Sequence, residues 1–254
     1  MTADFSDHFS SGAEAYAAAR PTYPPALFDH LASLAPSRAH AWDCAAGNGQ
    51  ATLAIAERFA RVTATDASAA QLAQAPRHPG VTYRVGLAQE SRLPDASVDL
   101  VTVAQALHWL DLPRFYEEVG RVLVADGVLA VWCYGLQQLD DEAVDERLAE
   151  FYGSVVGPYW APERTLVETG YRTVPFPFDE LEAPAFEMAH EWRLSELLAY
   201  LRTWSATSAF VKARGFDPVA PLADELGPVW GPAARRRRVR WPLSLRIGRP
   251  RRPA

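Results

Sequence analysis

Two acidic residues flank a loop of small residues early in the chain, and together they could hold a nucleotide-type cofactor. One apolar run ends in Asp43, the loop 44–50 contains Gly47 and Gly49, and a second apolar run ends in Asp66. Glycine adopts positive φ values freely and lets a ligand lie close against the backbone. In dinucleotide-binding folds an acid about 20 residues beyond the glycine loop holds the ribose hydroxyls. The spacing therefore predicts a cofactor site with Asp66 on the ribose.

The patterns around this loop predict the elements that position it. Residues 39–43, 62–65, 81–85, 97–104 and 128–133 are predicted strands, and residues 25–36, 51–59, 68–75 and 113–124 are predicted helices. Strands that alternate with helices indicate a parallel, doubly wound α/β sheet. Ligands bind such sheets at the carboxyl ends of the strands. We therefore expect Asp43, Asp66, Gln89 and His108 to gather at one edge of the sheet.

The length of 254 residues is interpreted as one domain with four regions. The regions are an N-terminal lid over 1–23, a cofactor-binding core over 24–135, a substrate-facing insert over 136–234, and a closing strand with a basic tail over 235–254. The lid would carry Tyr16, Arg20 and Tyr23 into the site, and a tail packed on the outside is an equal alternative. Residues 136–156 are expected to be helical. Pro242 favours an edge position for the closing strand.

Composition excludes several classes of protein. The net charge of −6 argues against a nucleic-acid surface over the whole chain, because phosphate contacts require an excess of Lys and Arg. The arginines from 235 onward are interpreted as a solvated strand flank and tail, with an RNA or acidic-substrate contact as the alternative. Two cysteines, Cys44 and Cys133, are too few for a disulfide framework or a thiolate zinc site. No leader and no apolar span of about 20 residues is evident, so a cytoplasmic protein without a membrane partner is expected.

Five motifs taken together resemble the class I S-adenosylmethionine-dependent methyltransferases of the type 11 group. The motifs are the loop series 42–50, the segment 65–68, the segment 93–101, the strand ending 104–109, and residues 121–123 with Gly127. Within that group the sequence is most similar to the branch that contains trans-aconitate methyltransferase. The match covers roughly residues 12–135, and residues 204–205 and 241–243 are weaker matches.

The resemblance implies a seven-stranded, mostly parallel sheet with an antiparallel last strand, and S-adenosyl-L-methionine as the cofactor. Asp43 and the loop from Ala45 to Gly49 would hold the methionine part, Asp66 the ribose, and Ala88 with Gln89 the adenine. The cofactor-binding residues that it implies are Tyr16, Arg20, Asp43, Ala45, Gly47, Gly49, Asp66, Ala67, Gln71, Ala88, Gln89 and Gln105. The substrate-binding residues are Tyr23, His108, Trp109 and Trp204.

Two residues depart from the family pattern. Ala45 stands where the family usually has glycine, and an alanine is expected to require negative φ and a local adjustment of the loop. Gln89 stands where the family usually has an acid. Its amide oxygen can still accept a hydrogen bond from the adenine amino group, without charge assistance.

The expected reaction is methyl transfer to an oxygen or nitrogen of a small molecule, with a carboxylate or a heterocycle among the candidate acceptors. His108 could act as a base toward a hydroxyl acceptor, and a histidine that only shapes the pocket is the preferred alternative. A non-catalytic cofactor-binding or interaction protein is the second hypothesis. An NAD-dependent oxidoreductase is weaker, because the loop lacks the G-x-G-x-x-G pattern. No spacing of histidines suggests a metal site, and the oligomeric state is not specified.

Overall fold

The computed structural model describes residues 20–251. The strands are β1 (His40–Cys44), β2 (Arg61–Asp66), β3 (Val81–Val85), β4 (Val98–Ala104), β5 (Leu123–Tyr134), β6 (Gln138–Leu139), β7 (Phe178–Leu181), β8 (Phe186–Trp192) and β9 (Arg237–Pro250). The helices are α1 (Pro25–Leu34), α2 (Thr52–Ala56), α3 (Ala69–Leu72), α4 (Leu112–Val122), α5 (Glu142–Glu150), α6 (Arg164–Glu168), α7 (Leu194–Arg202), α8 (Ser205–Arg214) and α9 (Val219–Trp230).

All of these strands belong to one sheet, in which β1 to β5 run parallel in the order β3-β2-β1-β4-β5. β9 pairs antiparallel with β5, and β8 and β7 pair with β9 one after the other along its opposite edge. β6 pairs with the residues of β9 that lie just beyond the β5 ladder, so it continues the line of β5. The strands therefore occupy seven positions, which confirms the predicted doubly wound sheet with its antiparallel last strand.

The prediction that the closing strand lies at an edge is wrong. β9 has β5 on one side and β7 with β8 on the other. Proline is excluded from central strands because it lacks the N–H that a ladder needs. Pro242 is tolerated because the β5 ladder stops at Leu243 and β6 resumes only at Arg240. It lies in the gap between these two pairings.

Alternating residues of the central strands bury apolar side chains on both faces of the sheet. In β4, Leu100 packs with Phe28 of α1 and Ile55 of α2 on one face. Val101 packs with Phe115 of α4 on the other face. Strands covered on both faces are expected to be apolar along their whole length. A further apolar cluster joins the helices after residue 136 to the β8–β9 end of the sheet, around Trp204, Trp230 and Trp241.

Several predicted helices are shorter than the patterns suggested. The predicted helix 68–75 is the single turn α3, which begins where the Ser68 hydroxyl accepts a hydrogen bond from the Gln71 amide at 3.3 Å. The predicted helix 136–156 is replaced by β6, α5 and a π-helical turn over Phe151–Val155. Asp141 caps the start of α5, because its side chain accepts a hydrogen bond from the Val144 amide. This cap fixes the helix start, because it satisfies one of the first unpaired backbone donors.

Four arginines of β9 form ion pairs with acids of the neighbouring strands β7 and β8 and of the loop before α5. The distances are 2.6 Å from Arg237 to Asp141, 2.8 Å from Arg238 to Glu187, 2.6 Å from Arg240 to Asp140, and 2.8 Å from Arg246 to Glu180. These cations already face carboxylates of the same chain. The arrangement agrees with the strand-flank interpretation and gives no support to an RNA contact.

Candidate functional site

A cavity of about 640 Å³ opens at the carboxyl ends of β1, β2 and β4. Small-molecule sites usually enclose about 300–1,000 Å³. The predicted site residues that line it are Arg20, Tyr23, Asp43, Ala45, Gly47, Asp66, Ala67, Gln71, Ala88, Gln89, Gln105, His108, Trp109 and Trp204. Tyr16 lies outside the described residues, and Gly49 is not part of the wall. The structure therefore brings together nearly all of the predicted set.

Asp43 is fully buried at the end of β1 and is held by two threonine hydroxyls. Thr52 at the start of α2 donates to Oδ2 at 2.6 Å, and Thr102 of β4 donates to Oδ1 at 2.7 Å. Burial raises the pKa of Asp43 to about 6, although the two hydroxyls lower it, and the negative charge of Asp66 adds to the increase. Asp43 is thus a carboxylate that changes protonation close to neutral pH.

Sequence reasoning missed both threonines, although one carries a visible signal. Thr102 is the single hydroxyl in the otherwise apolar middle of β4, and its register partner in β1 is Asp43. A buried hydroxyl needs a hydrogen-bond partner, so a polar residue in an apolar strand points to a polar neighbour. Thr52 has no comparable signal, because a threonine in the first turn of a helix is ordinary.

Asp66 ties the glycine loop to the end of β2. Its Oδ2 accepts the Gly47 amide at 2.8 Å, and its Oδ1 accepts the Ser68 amide at 2.8 Å. Each carboxylate oxygen has a second lone pair, and Asp66 is only half-buried in the cavity wall. The carboxylate therefore shapes the loop and at the same time forms part of the cavity wall.

Ala45 adopts φ 54°, so the expectation of a negative φ at this position is wrong. The left-handed region costs a non-glycine residue roughly 1–2 kcal/mol. The loop imposes this conformation because the next residue, Ala46, donates its amide to the Thr65 carbonyl at 3.0 Å and thereby joins the loop to β2. The alanine therefore keeps the backbone path that glycine would take.

We expect Ala45→Gly to raise the free energy of unfolding by about 0.5–1 kcal/mol. The substitution removes the strain at φ 54°, and the greater entropy of glycine in the unfolded chain offsets part of the gain. Urea unfolding followed by circular dichroism measures the change. Ala54→Gly on the neighbouring helix α2 is the matched control and should destabilise, because glycine weakens a helix interior. A loss of stability in Ala45→Gly would contradict the interpretation.

Gly49 is required for packing, and the structure does not place it on the cavity. It adopts φ 80°, and a Cβ there would lie 3.0 Å from the Tyr83 hydroxyl and 3.3 Å from the Cβ of Ala75. The prediction that Gly49 binds the cofactor therefore finds no support. The residue lets the end of the loop pack closely against β3 and the segment after α3.

Gln105 joins the ends of β4 and β5 through its side chain. Its Oε1 accepts the Tyr134 amide at 2.8 Å, and its Nε2 donates to the Tyr134 carbonyl at 3.2 Å. The residue also has a positive φ of 56°, which is uncommon for a side chain of this size. Since the amide group is engaged with β5, the backbone of Gln105 is the part left to contact a ligand.

Arg20 and Tyr23 cover the cavity from the start of the described chain. Arg20 donates to the Tyr134 hydroxyl at 2.8 Å and lies 5.4 Å from the centre of the Tyr200 ring. Tyr23 packs edge-on against Trp132 of β5 with 5.5 Å between ring centres. Both residues line the cavity, and residues 1–19 of the proposed lid lie outside the described residues, so the lid stays a prediction.

His108 follows β4 and is held by Tyr171. Its Nδ1 lies 2.8 Å from the Tyr171 hydroxyl, whose oxygen also faces the backbone N–H groups of Leu107 and His108. Burial, together with the positive charge of Arg164, lowers the pKa of His108 to about 3. The imidazole is therefore neutral near pH 7. If Tyr171 donates to Nδ1, the ring proton lies on Nε2, which then acts as a donor.

Trp109, Trp160 and Trp204 form an aromatic wall of the cavity. The sequence analysis named Trp109 and Trp204 as substrate-binding residues. Trp109 is 37% exposed and lies 4.7 Å from the His108 ring. Trp204 contacts Tyr152 and Trp160 at 5.7 and 5.5 Å between ring centres. Sequence reasoning missed Tyr134, Tyr200 and Arg164, which line the same cavity.

The part of the chain from 20 to 251 offers no group of three or more histidine, cysteine or acidic side chains arranged to hold a metal ion. Within the same range, no helix combines the length and apolar character that crossing a membrane requires. Cys44 and Cys133 are both buried as free thiols.

Comparisons with known proteins agree with this arrangement. A family model described as a methyltransferase domain matches residues 42–131. A provisionally named methyltransferase of Dictyostelium discoideum is 34% identical over 227 residues, which cover 87% of this chain and 86% of the relative. A solved structure from Anaeromyxobacter dehalogenans, provisionally named a type II methyltransferase, is 47% identical with a TM-score of 0.85, and the match covers 91% of this chain and 99% of the other.

A further relative connects the family with its cofactor. A protein of Saccharomyces cerevisiae, provisionally named an S-adenosylmethionine-dependent methyltransferase, is 31% identical over 147 residues, which cover 52% of this chain and 48% of the relative. The cavity fits that cofactor, because its loop of small residues and the acids Asp43 and Asp66 suit a ligand with ribose hydroxyls and positive charges. The chain thus belongs to the class I S-adenosylmethionine-dependent methyltransferases.

Proposed function

We propose that the protein methylates an oxygen or nitrogen of a small molecule that binds beside the cofactor in the same cavity. The observation that carries this proposal is the continuity of the cavity. One part of its wall comes from the glycine loop and Asp66, and the other comes from the aromatic side chains of the segment 160–204. We accordingly assign the cofactor to the core 24–135 and the acceptor to the insert 136–234. Membership of the branch of trans-aconitate methyltransferase belongs to the same proposal.

Three groups of residues would each hold one part of the cofactor. Asp66 would accept the ribose hydroxyls, Ala88 and Gln89 would border the adenine, and Asp43 with the loop from Ala45 to Gly47 would hold the methionine part. This division is supported by the order of these residues along the carboxyl edge, from β3 across β2 to β1. Its charge is also suitable, because two carboxylates face a ligand that carries positive groups.

The bound cofactor supplies a methyl group on a positively charged sulfur, and the acceptor's lone pair displaces that sulfur as a neutral thioether. The protein's task is orientation, since holding two reactants in line is worth up to roughly 7–11 kcal/mol. Gln105 fixes the end of β4 against β5, and the aromatic wall excludes water from the acceptor. An acceptor hydroxyl or N–H must also lose a proton, whereas a carboxylate or a ring nitrogen with a free lone pair needs no base.

We assign His108 to shaping the pocket. A base with a pKa of about 3 is too weak to take a proton from a hydroxyl efficiently near neutral pH, because general bases work best with a pKa near the working pH. The hydrogen bond between Nδ1 and the Tyr171 hydroxyl also occupies one of the two ring nitrogens.

We expect His108→Asn to lower kcat by less than about tenfold, since loss of a general base costs about 100- to 10,000-fold. Asparagine places its amide group where histidine has Nδ1, so that group can form the hydrogen bond to the Tyr171 hydroxyl in either direction. Steady-state kinetics with an acceptor found in the screen below measure the effect. The pH profile of kcat, measured with S-adenosylmethionine at saturation at every pH, should also lack an inflection near 6.5. A loss above 100-fold together with such an inflection would show that His108 is the base.

The experiment that tests the proposed function is an acceptor screen. The purified protein is incubated with S-adenosylmethionine and a panel of small carboxylic acids, phenols, amines and heterocycles, and the formation of S-adenosylhomocysteine is measured. Turnover of at least one panel member above the rate without acceptor is expected. Tight cofactor binding without turnover of any member would favour a protein that binds the cofactor but no longer transfers methyl groups. The cytoplasmic location and the absence of a nucleic-acid partner stay predictions.

A further inference from the structure

Arg164 lies on the acceptor side of the cavity with its charge uncompensated. It is the first residue of α6 and lines the cavity wall. Its Nε donates to the Tyr152 hydroxyl at 2.8 Å, and its guanidinium lies 4.6 Å from the centre of the Trp160 ring. Across residues 20–251, no carboxylate lies within 4.0 Å of Arg164, whereas four arginines of β9 (237, 238, 240 and 246) are paired with acids. The two terminal nitrogens also meet no acceptor in this part of the chain.

The contacts of Arg164 hold it in place without neutralising it. The Tyr152 hydroxyl that accepts from Arg164 donates in turn to Glu168 at 2.6 Å. Tyr152 belongs to the π-helical turn Phe151–Val155, and such turns often occur at functional sites. The planar guanidinium is therefore held at Nε by the Tyr152 hydroxyl and lies against the rings of Trp160 and Tyr152. The opposite edge, with four N–H donors, is left for a ligand.

The surroundings of Arg164 show that its charge acts inside the site. The positive charge contributes to the low pKa of His108, whose ring lines the same cavity. The indole Nε1 of Trp160 is buried and has no acceptor among the described residues, so this side of the cavity has donors in excess. The acids that line the same part of the wall are Asp111 and Glu163, both exposed, and Asp111 caps α4.

A cationic acceptor fits the part of the cavity beside Arg164 less well than an anionic one. Clustered aromatic rings can hold an ammonium group through their faces. Here, however, Arg164 already covers the rings of Trp160 and Tyr152, and Arg20 lies over Tyr200. A second cation would meet two guanidinium groups. An oxyanion would instead receive paired, charge-assisted hydrogen bonds from a planar fork.

We propose that the methyl acceptor carries a carboxylate or a phosphate on an apolar or aromatic body, and that Arg164 binds this group. The inference rests on the proposed function and names its substrate class. The oxyanion is the anchor of the acceptor, because lone pairs engaged by a guanidinium are poorly available to attack a methyl group. The aromatic wall of Trp109, Trp160 and Trp204 receives the body of the molecule.

Binding of four probes to the full chain saturated with S-adenosylhomocysteine tests this proposal. The probes are cinnamate, phenyl phosphate, cinnamyl alcohol and phenethylamine, and isothermal titration calorimetry measures each affinity. We expect one or both oxyanions to bind at least tenfold more tightly than the alcohol and the amine. Preference for cinnamate or for phenyl phosphate identifies the kind of oxyanion. Equal or tighter binding of the alcohol or the amine, or no binding of either oxyanion, would overturn the proposal.

Variants of Arg164 locate the contact. Arg164→Gln should weaken oxyanion binding by about 10- to 100-fold, the usual worth of hydrogen bonds to a charged group. Arg164→Lys should retain part of the affinity, since it keeps the charge and loses the fork. Arg202→Gln is the matched control, because Arg202 pairs with Asp217 at 2.8 Å and does not line the cavity. Unchanged oxyanion affinity in Arg164→Gln would refute the assignment.

These measurements separate the inference from the proposed function. Circular dichroism and the affinity for S-adenosylhomocysteine should be unchanged in both Arg164 variants, which shows that they fold and keep the cofactor site. Failure of the proposed function would appear as absent methyl transfer despite bound cofactor. Failure of the inference would appear as oxyanion binding that does not depend on Arg164.

Discussion

Asp66→Ala is expected to weaken the binding of S-adenosylhomocysteine by about 3 kcal/mol, at the upper end of the cost of leaving hydrogen-bonding groups unpaired. The substitution removes the acceptor of the ribose hydroxyls. It also leaves the Gly47 and Ser68 amides without the carboxylate that orients them. Because the second loss loosens the loop itself, the effect should exceed that of a residue that contacts only the ligand. Isothermal titration calorimetry measures the affinity.

Two further variants accompany this measurement, one conservative substitution and one control. Asp66→Asn keeps the size of the side chain, but its NH₂ group would face one of the two backbone donors, so it should also bind weakly. Asp95→Ala is the matched control, since Asp95 pairs with Arg121 and does not line the cavity. It should bind the cofactor as the natural protein does. Full affinity in a correctly folded Asp66→Ala variant would contradict the assignment of Asp66 to the ribose.

The cofactor half of the site could be predicted because it depends on local sequence. A carboxylate that directly follows an apolar strand must lie at the carboxyl edge of a parallel sheet, and this holds for Asp43 and Asp66 alike. The small-residue loop between them permits few other backbone paths. What the sequence could not show is which small residues face the ligand. Gly49 and Ala45 have similar surroundings in the sequence, yet only Ala45 lines the cavity.

The acceptor half depends on contacts between residues that are distant in the chain. Tyr152, Arg164 and Trp204 come from separate short elements, and no regular apolar period connects them. The interior position of β9 was hidden for a related reason. Its tolerance of Pro242 depends on a gap between β5 and β6 that only the tertiary pairing creates. Local patterns cannot report such a gap.

The affinity for S-adenosylmethionine is expected to rise with pH between about 5 and 7 and to be constant above about 7. Burial holds the pKa of Asp43 at about 6 in the free protein. A cationic ligand in the cavity favours the ionised carboxylate, so binding releases a proton wherever Asp43 is still protonated. At pH 5 a group with this pKa is about 90% protonated, and the dissociation constant should be about tenfold larger than at pH 8.

Calorimetric titrations at pH 5, 6, 7 and 8 test this expectation, and buffers of different ionisation enthalpy report the released proton directly. Asp43→Asn is the decisive variant, because asparagine does not titrate and the Thr52 and Thr102 hydroxyls can turn to meet its amide. Its dissociation constant should vary less than about threefold over the same range. S-adenosylhomocysteine lacks the sulfonium charge, so its pH dependence should be smaller in the natural protein. If S-adenosylmethionine binds equally well at pH 5 and pH 8, or if Asp43→Asn retains the full dependence, Asp43 is not the group that couples protons to cofactor binding.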